Sequence, residues 1–152
     1  MANKYFNPHR MSPIQEIVWQ VMSIRNTYSN IESLTKTKNS FHCIMSITPS
    51  ENSDPYRVEI SYRCGGFPRA IVLSPEIQKK DGNLPHHIYG TDKNGHIILC
   101  VFHPGSKEWN NNMLISKTFI PWVSTWLNTY EYWLITGEWH YDEIISGKQK
   151  SN

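Results

Sequence analysis

The segment from Phe119 to Gly137 does most to limit what this chain can fold into. Phe119 or Ile120, Val123, Trp126 or Leu127, Tyr130, Trp133 and Leu134 recur at the spacing of one helix face. Gly137 is a suitable terminator, and Pro121 has to lie in the first turn, because an interior proline breaks a helix. Five of the six Trp fall between Trp109 and Trp139. Aromatics at helical spacing can form an exposed binding face, but they more often form a core. A helix with so broad an apolar stripe therefore needs a wide apolar partner.

The upstream sequence supplies one. Ser12-Pro13-Ile14-Gln15 carries helix-start signals: a capping serine, a proline at the first helical position, and a glutamine able to return the capping-box bond. Ile14, Ile17, Val18, Val21 and Ile24 or Arg25 then keep helical spacing, and the helix should fade near Asn26–Asn30. Ser33–Ser40 reads as a loop or frayed turn. Phe41, Cys43, Met45 and Ile47 alternate with His42, Ser46 and Thr48. Tyr56, Val58, Ile60, Tyr62 and Cys64 alternate with Arg57, Glu59, Ser61 and Arg63, which marks a half-buried strand with one wet face. Ala70-Ile71-Val72-Leu73 is a third, short apolar strand. With turn clusters at Pro49–Pro55 and Gly65-Gly66, these strands predict an antiparallel meander of three to four strands. Glu76–Asn112 is mostly irregular apart from the apolar island Ile97–Phe102, and a long irregular region in a compact domain is usually functional. Helix, meander, long loop and helix make an α+β fold with helices on one face of the sheet.

Composition narrows the function classes. At 152 residues with 39% hydrophobic and 18% charged side chains, the chain is expected to be one domain, 1–152, with a core over about 12–140 and a flexible C-terminal tail. Net charge is +2 and no basic stripe is visible, so no nucleic-acid partner is expected. The longest stretches without Asp, Glu, Lys or Arg are 13 residues, short of the roughly 20 that a membrane span needs. The start, Met1 to Arg10, has no apolar h-region and so no visible secretory signal. Cys43, Cys64 and Cys100 are odd in number and form no C-x-x-C pair, which points to free thiols and the cytoplasm.

Cys100 is the candidate for chemistry. It lies between two loops rich in polar and turn-forming residues, with His86, His87, His96 and His103 as possible neighbours. A nucleophilic cysteine needs thiolate character, partial exposure and nearby donors. Composition and spacing alone favour a blander role, a small hydrophobe packed within Ile98–Phe102. Cys43 and Cys64, on the apolar faces of strands, read as core. His86-His87 makes a poor zinc pair, since adjacent side chains splay apart and no ligand stands at a usual offset. No phosphate-loop, dinucleotide or serine-hydrolase motif occurs, and neither a cofactor nor a metal is expected.

The order of elements, with a His-containing turn, an apolar segment ending in Cys and a later Trp, resembles the ubiquitin-conjugating enzymes. In that family a His-Pro-Asn turn precedes the catalytic cysteine. Here Leu84-Pro85-His86-His87-Ile88-Tyr89 stands at the turn, Ile97-Ile98-Leu99-Cys100-Val101 at the cysteine, and Trp109 at the Trp. The tail, Phe119-Ile120-Pro121-Trp122-Val123-Ser124-Thr125-Trp126-Leu127 and then Tyr130 to His140, is similar to that of bacterial conjugating-enzyme-like proteins from anti-phage CBASS operons. The resemblance covers about Ser12–His140.

It implies that Cys100 forms a thioester with the C-terminus of a partner cGAS-like nucleotidyltransferase and passes it to an amine. Activation of that C-terminus would fall to a separate activating protein, or to a route that the sequence does not disclose. The turn's Asn position holds His87, which would then have to donate to the oxyanion, and an imidazole has the donor to do so. His103 is a second candidate for tuning Cys100, and Trp109 a support for the loop. Two alternatives remain at this level: a non-catalytic module of the same fold that holds the nucleotidyltransferase, and an unrelated thiol hydrolase with a histidine base.

Overall fold

The structure, a computed structural model, describes residues 11–140. The expected flexible C-terminal tail and the expected signal-free start both lie outside the described residues.

Helix α1 spans Pro13–Thr27 and begins as its sequence dictates. The Ser12 hydroxyl accepts from the Gln15 backbone N–H at 3.3 Å, and the Gln15 side chain accepts from the Ser12 N–H at 2.9 Å. Ile17, Val21 and Ile24 face the core. The stripe departs from expectation at both kinds of residue: Ile14 is 52% exposed, while Gln20 is fully buried. Gln20 belongs inside because it is satisfied there. Its Nε2 donates to the Met113 carbonyl and its Oε1 accepts from the Ile115 N–H, both at 2.9 Å. The Ser23 and Ser116 hydroxyls share a 2.6 Å hydrogen bond, and the Tyr28 hydroxyl donates to the Ser116 carbonyl at 2.7 Å. Together these bonds hold the chain after Cys100 against α1.

The sheet is larger than the sequence predicts. Strands β1 (Ile31–Lys36), β2 (Ser40–Ile47), β3 (Tyr56–Arg63), β4 (Arg69–Ser74), β5 (Ile88–Thr91) and β6 (Ile97–Leu99) form one antiparallel sheet in the order β1-β2-β3-β4-β6-β5. The three expected strands are β2, β3 and β4, paired in the expected order. The segment expected to be a loop after α1 is β1, an edge strand on which only Ile31 and Leu34 turn partly inward. The apolar island supplies β6, and β5 folds onto it as a hairpin beyond the meander. The hairpin turn is held by Asp92, whose carboxylate accepts from the Asn94 and His96 N–H groups at 2.9 Å each.

Helix α2 spans Phe119–Thr136 with Pro121 in its first turn. Gly137 closes it at φ 80°, donating to the Trp133 carbonyl at 2.8 Å. One hydrophobic cluster joins Ile17, Val21 and Ile24 to Phe41, Met45, Val58, Ile60 and Val72 of the sheet and to Phe119, Val123, Trp126, Leu127 and Tyr130 of α2. Burying each such aliphatic side chain contributes roughly 1.5–3 kcal/mol. Beyond Gly137 the chain turns back, and Trp139 packs on Trp126 and Trp133, with ring centroids 5.2 and 6.4 Å away.

Candidate active site

Cys100 directly follows β6, and its surroundings arise from the β5–β6 hairpin. The ladder pairs Ile88 with Leu99 and extends one step further, where the Cys100 N–H donates to the His87 carbonyl at 2.9 Å. The same carbonyl accepts from the indole N–H of Trp126 at 3.1 Å. His87 stands in the left-handed region at φ 62°, an uncommon conformation for a residue with a Cβ. Two hydrogen bonds and a stacked Trp139, with centroids 5.7 Å apart and planes 21° off parallel, hold it there.

The expected site residues separate into groups. His87 and His103 come together, with ring centroids 6.1 Å apart, on the turns that flank Cys100. His103 is exposed and precedes a single 3-10 turn, Pro104–Ser106. His96 belongs instead to the hairpin turn, where its ring faces the Asp92 carboxylate at 3.4 Å. Backbone hydrogen bonds from His96, together with the Asn94 N–H, hold the Asp92 carboxyl below the ordinary carboxylate range despite some desolvation. His86 is exposed beside a shallow hollow shared with Lys80, Asp81 and Trp133. Trp109 is buried and packs on Tyr62 and Phe67 at 5.5 and 6.4 Å. It reaches the cysteine segment through Phe67, whose ring also meets Phe102 at 5.8 Å.

Cys100 is 7% exposed. Its Sγ lies 3.9 Å from the Phe102 carbonyl, and the hydroxyl of Tyr89 donates to that same oxygen at 3.0 Å. Burial first, then the thiol, pushes the phenol above its ordinary range, so Tyr89 stays protonated at physiological pH. The other two thiols are held in their protonated forms. Burial pushes Cys43 up to about 11; burial, with Glu16 adding to it, also takes Cys64 to about 11. Cys43 is core as expected, whereas Cys64 is only half-buried just past β3, with its Sγ 3.6 Å from the Pro13 carbonyl.

Sequence reasoning missed Tyr89 and Trp139 as members of this site. Trp139 lies beyond a helix stop and 52 residues from the ring that it stacks on, so no local pattern marks it. Tyr89 was visible only as part of an irregular turn.

Among the described residues no three His, Cys, Asp or Glu side chains gather as a metal site, and no helix is long and apolar enough to cross a membrane. The site holds a thiol at a strand end by its backbone, with a phenol on the same carbonyl and two imidazoles on the flanking turns. A thiol with donors beside it is in general able to carry an acyl group. A family model described as Type II CBASS E2 protein matches residues 20–146, well over half of the chain. No curated protein matches it.

Proposed function

The chain belongs to the family of type II CBASS E2 proteins, and from that membership we propose that it is a cysteine-dependent conjugating enzyme with Cys100 as the acyl carrier. The observation that carries this reading is the placement of Cys100 at the end of β6, tied to the His87 carbonyl and flanked by His87, His103 and Tyr89. The acyl group comes from the C-terminus of a cGAS-like nucleotidyltransferase, delivered already activated as a thioester or adenylate by a separate protein. The Cys100 thiolate attacks the carbonyl carbon and expels the carrier group, leaving the acyl group on sulfur. An amine then attacks, the C–S bond breaks, the amine loses a proton and an amide remains. Donation from His87 stabilises the tetrahedral oxyanion, His103 assists the thiol, and Trp109 holds the loop through Phe67. The reaction takes place in the cytoplasm.

The test is co-expression with the nucleotidyltransferase and non-reducing electrophoresis. Wild type should give a thiol-sensitive adduct that Cys100→Ala abolishes. An adduct that persists in Cys100→Ala overturns the assignment.

One observation favours the second reading, a non-catalytic module that holds the nucleotidyltransferase: Cys100 is almost fully covered. On that reading Cys100 reacts no faster with iodoacetamide than Cys43 or Cys64. Selective alkylation of Cys100 rejects it.

A further inference from the structure

The register of the β5–β6 hairpin breaks at one residue. Ile88 pairs with Leu99 and Gly90 with Ile98, so Tyr89 is the extra residue of a β-bulge, followed by Gly90 at φ 101°. A bulge re-aims a side chain that regular pleating would send elsewhere. Here it carries the Tyr89 hydroxyl to the Phe102 carbonyl, the oxygen that the Cys100 thiol also approaches, while the residue as a whole stays 56% exposed at the sheet edge.

Two donors converge as a result. The Cys100 thiol and the Tyr89 hydroxyl both point at the Phe102 carbonyl, at 3.9 and 3.0 Å. Only the neutral thiol can use that oxygen. Once the sulfur is an anion, a carbonyl oxygen beside it is repulsive, and it needs a donor in its place.

We propose that Tyr89 is a catalytic residue whose hydroxyl turns from the Phe102 carbonyl to the Cys100 sulfur as the sulfur becomes an anion. The inference rests on Cys100 being the acyl carrier and assigns a role to a side chain that the proposed mechanism has not yet used. In the step, the S–H bond breaks, its proton passes to solvent and the sulfur keeps the electron pair. The Tyr89 O–H bond stays intact and changes only its acceptor, by rotation about the C–O bond. The same donation favours the sulfur as leaving group when the amine displaces it. His86 and His87 from the turn before β5, with His103, Lys107 and Glu108 from the segment after β6, are the other titratable groups on the flanking turns.

The test separates the phenol's chemistry from its bulk. The rate of Cys100 alkylation by iodoacetamide is followed against pH on the protein alone, with the modified peptide identified by mass spectrometry. Tyr89→Phe keeps the ring and loses the hydroxyl. It should move the alkylation midpoint to higher pH and slow the reaction at neutral pH about tenfold, the loss of one hydrogen bond to an anion. Tyr89→Ala, which also uncovers the sulfur, should show the same upward midpoint with a faster limiting rate. A Tyr89→Phe profile that superimposes on wild type overturns the proposal, as does a wild-type Cys100 that is inert throughout. Adduct formation with the nucleotidyltransferase is measured in parallel. If wild type forms no adduct but the alkylation midpoint shifts in Tyr89→Phe, the conjugation reading falls and the action of Tyr89 on the thiol stands.

Discussion

The backbone N–H of Cys100 donates to the carbonyl of His87 at 2.9 Å, so the candidate nucleophile and the proposed oxyanion donor are joined through the main chain. This bond is indifferent to the identity of either side chain. Substitutions at His87 can therefore test the imidazole without releasing the cysteine.

His87→Ala should slow acyl transfer about 100-fold if the imidazole is the oxyanion donor. His87→Asn tolerates the left-handed backbone and offers an amide donor, so it should recover part of the loss. Single-turnover transfer measures both variants, with thermal unfolding as a check on the fold. Unchanged transfer in His87→Ala removes the imidazole from the mechanism.

Trp126→Phe deletes the second hydrogen bond on the His87 carbonyl and leaves a void under α2, where Trp126 is fully buried. The cost should be about 1–3 kcal/mol in chemical denaturation. Transfer should also fall, since the carbonyl that holds Cys100 is less firmly placed. A folded variant with reduced stability but unaltered transfer would show that this bond serves the core alone.

Gln20→Ala orphans the Met113 carbonyl and the Ile115 N–H, both of which Gln20 pairs in the interior. A loss of about 2–4 kcal/mol is expected, large for a side chain that touches no chemistry. Differential scanning calorimetry should read this as a clear fall in Tm. A change within the noise contradicts the view that Gln20 clamps the chain after Cys100.

Cys43 gives a pH signature. Its thiol ionises near 11 in the folded protein against an ordinary 9.0, so folding favours the protonated form. The sign follows: its contribution to stability is complete below about pH 9 and is lost as pH rises towards 11. Urea midpoints should fall more steeply across that window in wild type than in Cys43→Ala. Parallel profiles would show that the buried thiol titrates as it does in the unfolded chain.

Legibility in the sequence followed periodicity. Both helices were readable because their signals are local: the Ser12–Gln15 capping box at one, Gly137 at the other. Strands β2 and β3 were readable because the sheet buries one face and wets the other. β1 was not, because at the sheet edge only Ile31 and Leu34 turn partly inward, three residues apart, which destroys the two-residue period. The β5–β6 hairpin hid for two reasons. β6 is buried at all three of its residues, and β5 is four residues interrupted by a bulge. Cys100 could be singled out by the loops around it. Its neighbours and those of His87 could not, since Tyr89 depends on that bulge and the Trp139 ring on His87 depends on a chain reversal after α2.

The central claim is that the Cys100 sulfur carries the acyl group, and Cys100→Ser tests it most directly. A serine there would trap the acyl group as an oxyester. Co-expressed with the nucleotidyltransferase and analysed by intact mass spectrometry, this variant should give a species equal to the two chains less one water. That species should resist thiols, yield to hydroxide and map by fragmentation to position 100. An adduct that maps to any other residue, or that forms equally on Cys100→Ala, would contradict the account.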